Sequence, residues 1–346
     1  MQSVLGDLTQ AWDQLPADGM EGHDETFWHA TALWQIFMAC AMPGEAEKWW
    51  TAVIRHALAW ESMHAGRRLH KGTPYYFAGV TAILNGNLDR GFLLMHQAVE
   101  EDRVTCETIA RATQDASKEG DYLKLPAYLF VTLNSEAQDQ FFKGKVDEVA
   151  EYLRSRIEEY NKATGRAFTL ADFRARFLAQ PQMVDEAFAF VFALYRLKAF
   201  EDDRPAGLET VFRSIYLSDL YFQICRVLEC LLQEELGRTN MLGGLLPLLA
   251  SEARVGWKQL THDEIEVLKK KCQADFDGML RLLLSHKYAY SSGAGPSPAE
   301  ESMLVASTLR NFGAHRIEQM LVLGEEFLSI RRHLINAILT TVDLLS

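Results

Sequence analysis

The sequence predicts an all-α protein, and three observations carry that prediction. Apolar residues recur at i, i+3 and i+4 over most of the length. Alternation with the two-residue period of a strand persists nowhere. The C-terminal segment shows the helical pattern in one piece: Phe327, Ile330, Leu334, Ile338, Val342 and Leu345 form a single stripe, with Arg331, Arg332 and Asn336 off it.

Taken in chain order, Trp49, Trp50 and Trp60 fall at helical spacing and are expected in the core or on the floor of a groove. The run His64, Arg67, Arg68, His70, Lys71 is the most basic stretch of the first half. It reads as a solvated helix end or as a contact for RNA or a nucleotide. Next comes "PYYFAGVTAILNGNLDRGFLLMHQAVEED", with Gly79 on one helix, Gly86 in an Asn-Gly-Asn turn, and Gly91 and Ala98 on a second helix. Small residues at those positions let paired helices approach closely. The spacing resembles a tetratricopeptide repeat, and Gly120 follows Gly86 at that family's 34-residue period. Pro126, however, stands where the next repeat's second helix would run. An array of helical hairpins is expected, with a plain antiparallel bundle as the other packing of the same pattern.

"FEDDRPAGLE", residues 200–209, gathers acids, Pro205 and Gly207 between two helical patterns, so the expected division is 1–204 and 205–346. Beyond it the periodicity predicts helices near Glu209–Leu236, His262–Ser285, Ala299–Phe312 and Glu325–Leu345, and a shorter one over Met241–Ala253. "AYSSGAGPSPAE" is a loop that ends in a helix start, with Ser297 as N-cap, Pro298 in the first helical position and acids in the first turn.

Composition narrows the function classes. The net charge of −12 weighs against broad nucleic-acid binding, because phosphate contacts rest on Lys and Arg. The excess acid is concentrated, however: Met1–Pro205 holds 21 basic and 30 acidic residues, whereas the remainder holds 14 and 17. Five scattered cysteines without a Cys-x-x-Cys pair fit a reducing compartment, not a disulfide framework or zinc knuckle. The longest apolar run, near Leu245–Ala250, is broken by Pro247 and too short for a bilayer, and the N-terminus lacks a signal-peptide pattern. A cytoplasmic protein without membrane contact is expected. Walker, Rossmann, His-Glu-x-x-His and Gly-x-Ser-x-Gly patterns are absent. Glu61 and His64 form one Glu-x-x-His pair of the di-iron kind, without the second pair that such a bundle needs.

One stretch does suggest chemistry. In "TLRNFGAHRIE", Arg310 and Asn311 end a predicted helix, and His315 follows Gly313 and Ala314. The bare Arg-x4-His spacing recurs at Arg281 and His286, so the asparagine is what distinguishes this site. On an unbroken helix the arginine and histidine would stand ~140° apart, so their convergence requires a break, which Gly313 could supply, or a dimer groove.

The motif resembles the Arg-Asn-x-x-x-His signature of the HEPN superfamily, and the four long helices around it match that family's bundle. The resemblance implies a metal-independent endoribonuclease that needs no cofactor. His315 would move protons to and from the ribose 2′-hydroxyl and the leaving oxygen, Arg310 would stabilise the phosphorane charge, and Asn311 would orient the site. These residue types suit the work, since imidazole titrates near neutrality and guanidinium offers phosphate a permanently charged fork. The resemblance also implies a homodimer formed through the C-terminal domain, a 2′,3′-cyclic phosphate product, and a regulated role as a toxin or in phage defence. Asp219 or Arg226 would supply a further polar group, and His286, Lys287, Tyr288 and Arg316 are candidates for gripping RNA. The rival expectation is a non-catalytic helical scaffold that binds proteins. On either reading the N-terminal array is expected to take a regulatory protein partner.

Overall fold

The computed structural model describes residues 2–15, 27–203, 211–312 and 321–345. Every regular element among them is a helix, and none is long and apolar enough to cross a membrane. The chain divides into two compact units, Met1–Glu148 and Val149–Ser346. The turn-prone stretch expected to separate domains lies mostly in residues 204–210, outside the described residues.

The first unit contains α1 (Gln2–Asp13), α2 (Trp28–Ala39), α3 (Pro43–Met63), α4 (Gly72–Leu84), α5 (Leu88–Thr113) and α6 (Pro126–Val131). Successive helices pack on one another, α4 against α5 most extensively. Their glycines explain the close approach. A Cβ on Gly91 would lie 2.4 Å from Ile83 Cγ1 and 3.1 Å from the Gly79 carbonyl oxygen. Gly86, at φ +80°, makes the turn between them, and Asn87 caps α5 by accepting from the Arg90 N–H. The chain then takes a 3₁₀ turn over Ala116–Lys124, and Pro126 opens α6, a place where proline's missing N–H is harmless. Trp49, Trp50 and Trp60 are buried; Trp49 donates to the Ala30 carbonyl at 2.9 Å, and Trp60 to Asp13 at 2.8 Å.

The second unit holds most of α7 (Lys143–Thr164), then α8 (Leu170–Phe173), α9 (Val184–Asp202), α10 (Val211–Leu236), α11 (Leu242–Ser251), α12 (His262–Ala274), α13 (Phe276–Leu284), α14 (Pro298–Phe312), α15 (Leu321–Glu325) and α16 (Phe327–Leu345). Helix α16 packs against α10 and α14, and its expected stripe from Phe327 to Val342 is fully buried. The off-stripe residues Arg331 and Asn336 are buried as well, because α16 lies inside the unit, not on its surface. Arg331 makes an ion pair with Glu201 of α9, and its guanidinium stands 5.9 Å over the Tyr152 ring of α7.

The single helix expected over 262–285 is two. Asp275 adopts an extended backbone conformation and caps α13 by accepting from the Gly278 N–H at 2.9 Å. Aspartate competes with helical hydrogen bonding in this way, and Gly278 leaves room for its carboxylate. At α14 the expected cap forms as a reciprocal box, Glu300 N–H to Ser297 Oγ at 3.3 Å and Ser297 N–H to Glu300 Oε2 at 2.9 Å.

Candidate functional site

Arg310 lies in the last turn of α14, where α10 and α11 pack against it. Its guanidinium reaches Glu229 of α10, with Nε 3.3 Å from Oε2 and Nη2 3.4 Å from Oε1. The guanidinium also stands 4.6 Å from the centre of the Phe222 ring, two turns before Glu229 on α10. Arg226, one turn before Glu229, donates to Glu229 Oε1 at 2.9 Å. The Leu242 N–H at the start of α11 donates to Oε2 at 2.9 Å.

Glu229 is therefore the centre of the site. Its side chain is 2% exposed, while those of Arg310 and Arg226 are 12% and 52% exposed. Two guanidinium groups on one carboxylate leave the cluster one positive charge in excess. That is the electrostatic condition for holding a phosphate oxygen. Asn311 is half-buried, its Nδ2 donating to Ser307 Oγ at 3.3 Å. Gly243 of α11 lies beside it, since a Cβ there would stand 3.2 Å from that nitrogen. Cys225 is buried close by. Burial pushes its thiol up to about 12, with Arg310 opposing and Glu229 adding, so it remains a protonated donor to the Ala306 carbonyl at 3.4 Å and no nucleophile near neutrality.

The structure thus brings Arg226, Arg310 and Asn311 together. Asp219, the other polar group weighed on α10, is exposed and pairs with Arg196 of α9 at 3.1 Å. His315 and Arg316, like Gly313 and Ala314, lie outside the described residues.

The remaining candidates belong to the C-terminus of α13. The N–H groups of His286 and Lys287 donate to Leu283 and Leu282, with His286 in the left-handed region at φ +58°. The exposed His286 ring contacts Glu301, whose carboxyl is raised by burial and lowered by that histidine. Lys287 is exposed, whereas Tyr288 is buried beneath the Lys271 ammonium, 5.4 Å from its ring centre. Burial pushes the Tyr288 hydroxyl up to about 12.

The basic run of the first unit is internally paired. Arg67 donates to the Leu15 carbonyl at 2.6 Å, Arg68 pairs with Glu101 at 2.9 Å, His70 with Asp102 at 2.6 Å, and Lys71 with Glu61 at 2.6 Å. Glu61 is thereby engaged by a cation, and His64 stacks on Trp60 at 4.3 Å. Among the described residues no group of three or more His, Cys, Asp or Glu side chains could hold a metal ion.

Glu229 escaped the sequence reading. Its signal was faint: a lone acid inside the apolar run "ICRVLECLL", three residues after Arg226. Comparison with known protein families, with curated proteins and with solved structures gives no match.

Proposed function

We propose that the C-terminal part of the chain is an HEPN-like endoribonuclease that cuts RNA without a metal. The ribose 2′-hydroxyl attacks the adjacent phosphate, leaving a 2′,3′-cyclic phosphate and a 5′-hydroxyl. The observation that carries this reading is the Arg310–Asn311 step at the end of α14, with Arg310 and Arg226 held on the buried carboxylate of Glu229. Arg310 would meet the charge that grows on the phosphorane, and His315 would take the 2′-hydroxyl proton and return one to the leaving oxygen. Glu229 would position Arg310. A homodimer joined through this part of the chain would pair two such motifs. A regulated role as a toxin or in phage defence is the matching biological role, with the helical-hairpin first part binding a regulatory protein.

A second reading has its own support. Arg310 already has an ion pair and an aromatic face, as an arginine of purely structural purpose would. The chain would then be an α-helical scaffold for protein partners.

Cleavage of labelled single-stranded and structured RNAs in EDTA, with wild type beside His315→Ala and Arg310→Ala, separates the two. The nuclease reading expects cyclic-phosphate ends and a loss of at least about 100-fold in either variant. A folded wild type that cuts no RNA and does not slow growth on expression leaves the scaffold.

A further inference from the structure

The first unit contains a cavity of about 510 Å³ between α4, α5, the 3₁₀ turn and α6. We infer that it is a binding site for a small aromatic molecule carrying a hydrogen-bond donor on its ring. This inference is independent of the nuclease reading.

The walls favour an apolar, flat body. Tyr76, Phe77, Ile109 and Leu125 line the space. The two rings are fixed from behind. Phe77 packs on Trp34 and Trp50 with centroids 4.3 and 5.6 Å away, and the Tyr76 hydroxyl donates to Gln138 Oε1 at 3.0 Å. They cannot collapse inward without giving up those contacts. Ligand sites commonly have this size and apolar character.

The polar end is built and buried. His70 and Asp102 line the cavity with an N–O distance of 2.6 Å, their side chains 8% and 7% exposed. The backbone accommodates this pair through Gly72. A Cβ there would fall 1.8 Å from Asp102 Oδ1 and 2.7 Å from His70 Nε2, so no other residue fits at that position without moving the pair. A carboxylate accepts several hydrogen bonds at once, and a ring N–H or O–H would add one to those Asp102 already receives. The remaining charged wall residues offset each other. Lys118 and Asp121 stand 3.5 Å apart with both side chains partly exposed, which leaves the Asp102 carboxylate, held by His70, as the acceptor that selects a donor-bearing ligand. Donor and apolar body together define the class.

The probes are indole and 1-methylindole, which differ in the ring N–H, titrated into the full-length protein by ligand-observed NMR. Saturable indole binding is expected, with 1-methylindole weaker by about tenfold or more. Ile109→Trp, which fills the space from its wall, should weaken indole by at least about tenfold while the protein stays folded by circular dichroism. The inference is overturned if indole does not saturate, if the two probes bind alike, or if a folded Ile109→Trp binds indole as wild type does. Should that variant not fold, the comparison of the two indoles on wild type still decides.

Discussion

Replacing Glu229 with leucine tests the centre of the second unit's polar cluster. The carboxylate is 2% exposed and is shared by Arg310, Arg226 and the Leu242 N–H. Its removal leaves the 12%-exposed Arg310 guanidinium without its anion, which for a buried pair costs about 3–5 kcal/mol. The orphaned Leu242 N–H adds about 1–2 kcal/mol. Arg226 adds little, because it is half exposed and water replaces its partner. Partial escape of Arg310 toward solvent offsets some of this, so about 3–5 kcal/mol is expected in all. Urea unfolding followed by far-UV circular dichroism measures the loss, and hydrogen exchange of the Leu242 amide reports it locally. Pairing the change with Arg310→Met removes the stranded charge. The double variant should recover about 2–3 kcal/mol relative to the sum of the single changes. A single variant within about 1 kcal/mol of wild type, or a double variant as unstable as that sum, would refute the account of the cluster.

Four further outcomes follow from the structure. His333 on α16 is lowered to about 3, chiefly by burial and then by Arg332 and His286. The unfolded chain therefore binds the extra proton below its ordinary value near 6.5, and this stability is complete above that pH and is lost as pH falls toward 3. At pH 5 the loss is about 2 kcal/mol, which urea titrations of wild type against His333→Leu should show as a shallower acid limb in the variant. Gly91→Ala should destabilise by about 1–3 kcal/mol in thermal unfolding despite alanine's better helix propensity, because its Cβ would press on Ile83 and the Gly79 backbone. A fragment of residues 149–346 should fold, whereas one starting at 206 should not, since it loses α9, which packs along α10, together with Glu201, the partner of buried Arg331; circular dichroism of the two decides. On the nuclease reading, Arg226→Ala should slow cleavage less than Arg310→Ala, because the exposed arginine is the more replaceable source of charge.

Much of the helical framework was legible because it rests on local rules. The α16 stripe, the Gly79–Gly91 approach and the Ser297 cap each depend on residues within a few turns of one another or on one hairpin. Where the reading missed, a distant or competing contact decided. Arg331 and Asn336 lie off the apolar stripe yet are buried because α16 is interior, and the ion pair that holds Arg331 spans 130 residues. Asp275 divided an apparently continuous helix because its side chain competes for the backbone, which apolar periodicity does not register. At the site, Arg310 and Asn311 stood out through their pairing with a histidine, but Glu229 is 81 residues from Arg310 and has no local mark beyond being an acid among apolar neighbours.

That hidden carboxylate is where the two functional readings part. A phosphate approaching Arg310 meets a guanidinium already turned toward Glu229, so the same ion pair that aims the group also competes with the substrate. Glu229→Gln retains an acceptor for the Leu242 N–H and removes only the charge, which makes it the gentler probe. If Arg310 acts on RNA, this variant should bind RNA at least as well as wild type, because one negative charge is gone. It should nevertheless cut more slowly, because the arginine has lost its aim. A fall in kcat without a rise in KM is the signature of a positioning residue. If Arg310 is only a strut of the bundle, the substitution lowers the unfolding midpoint and leaves RNA binding and cleavage without a trend.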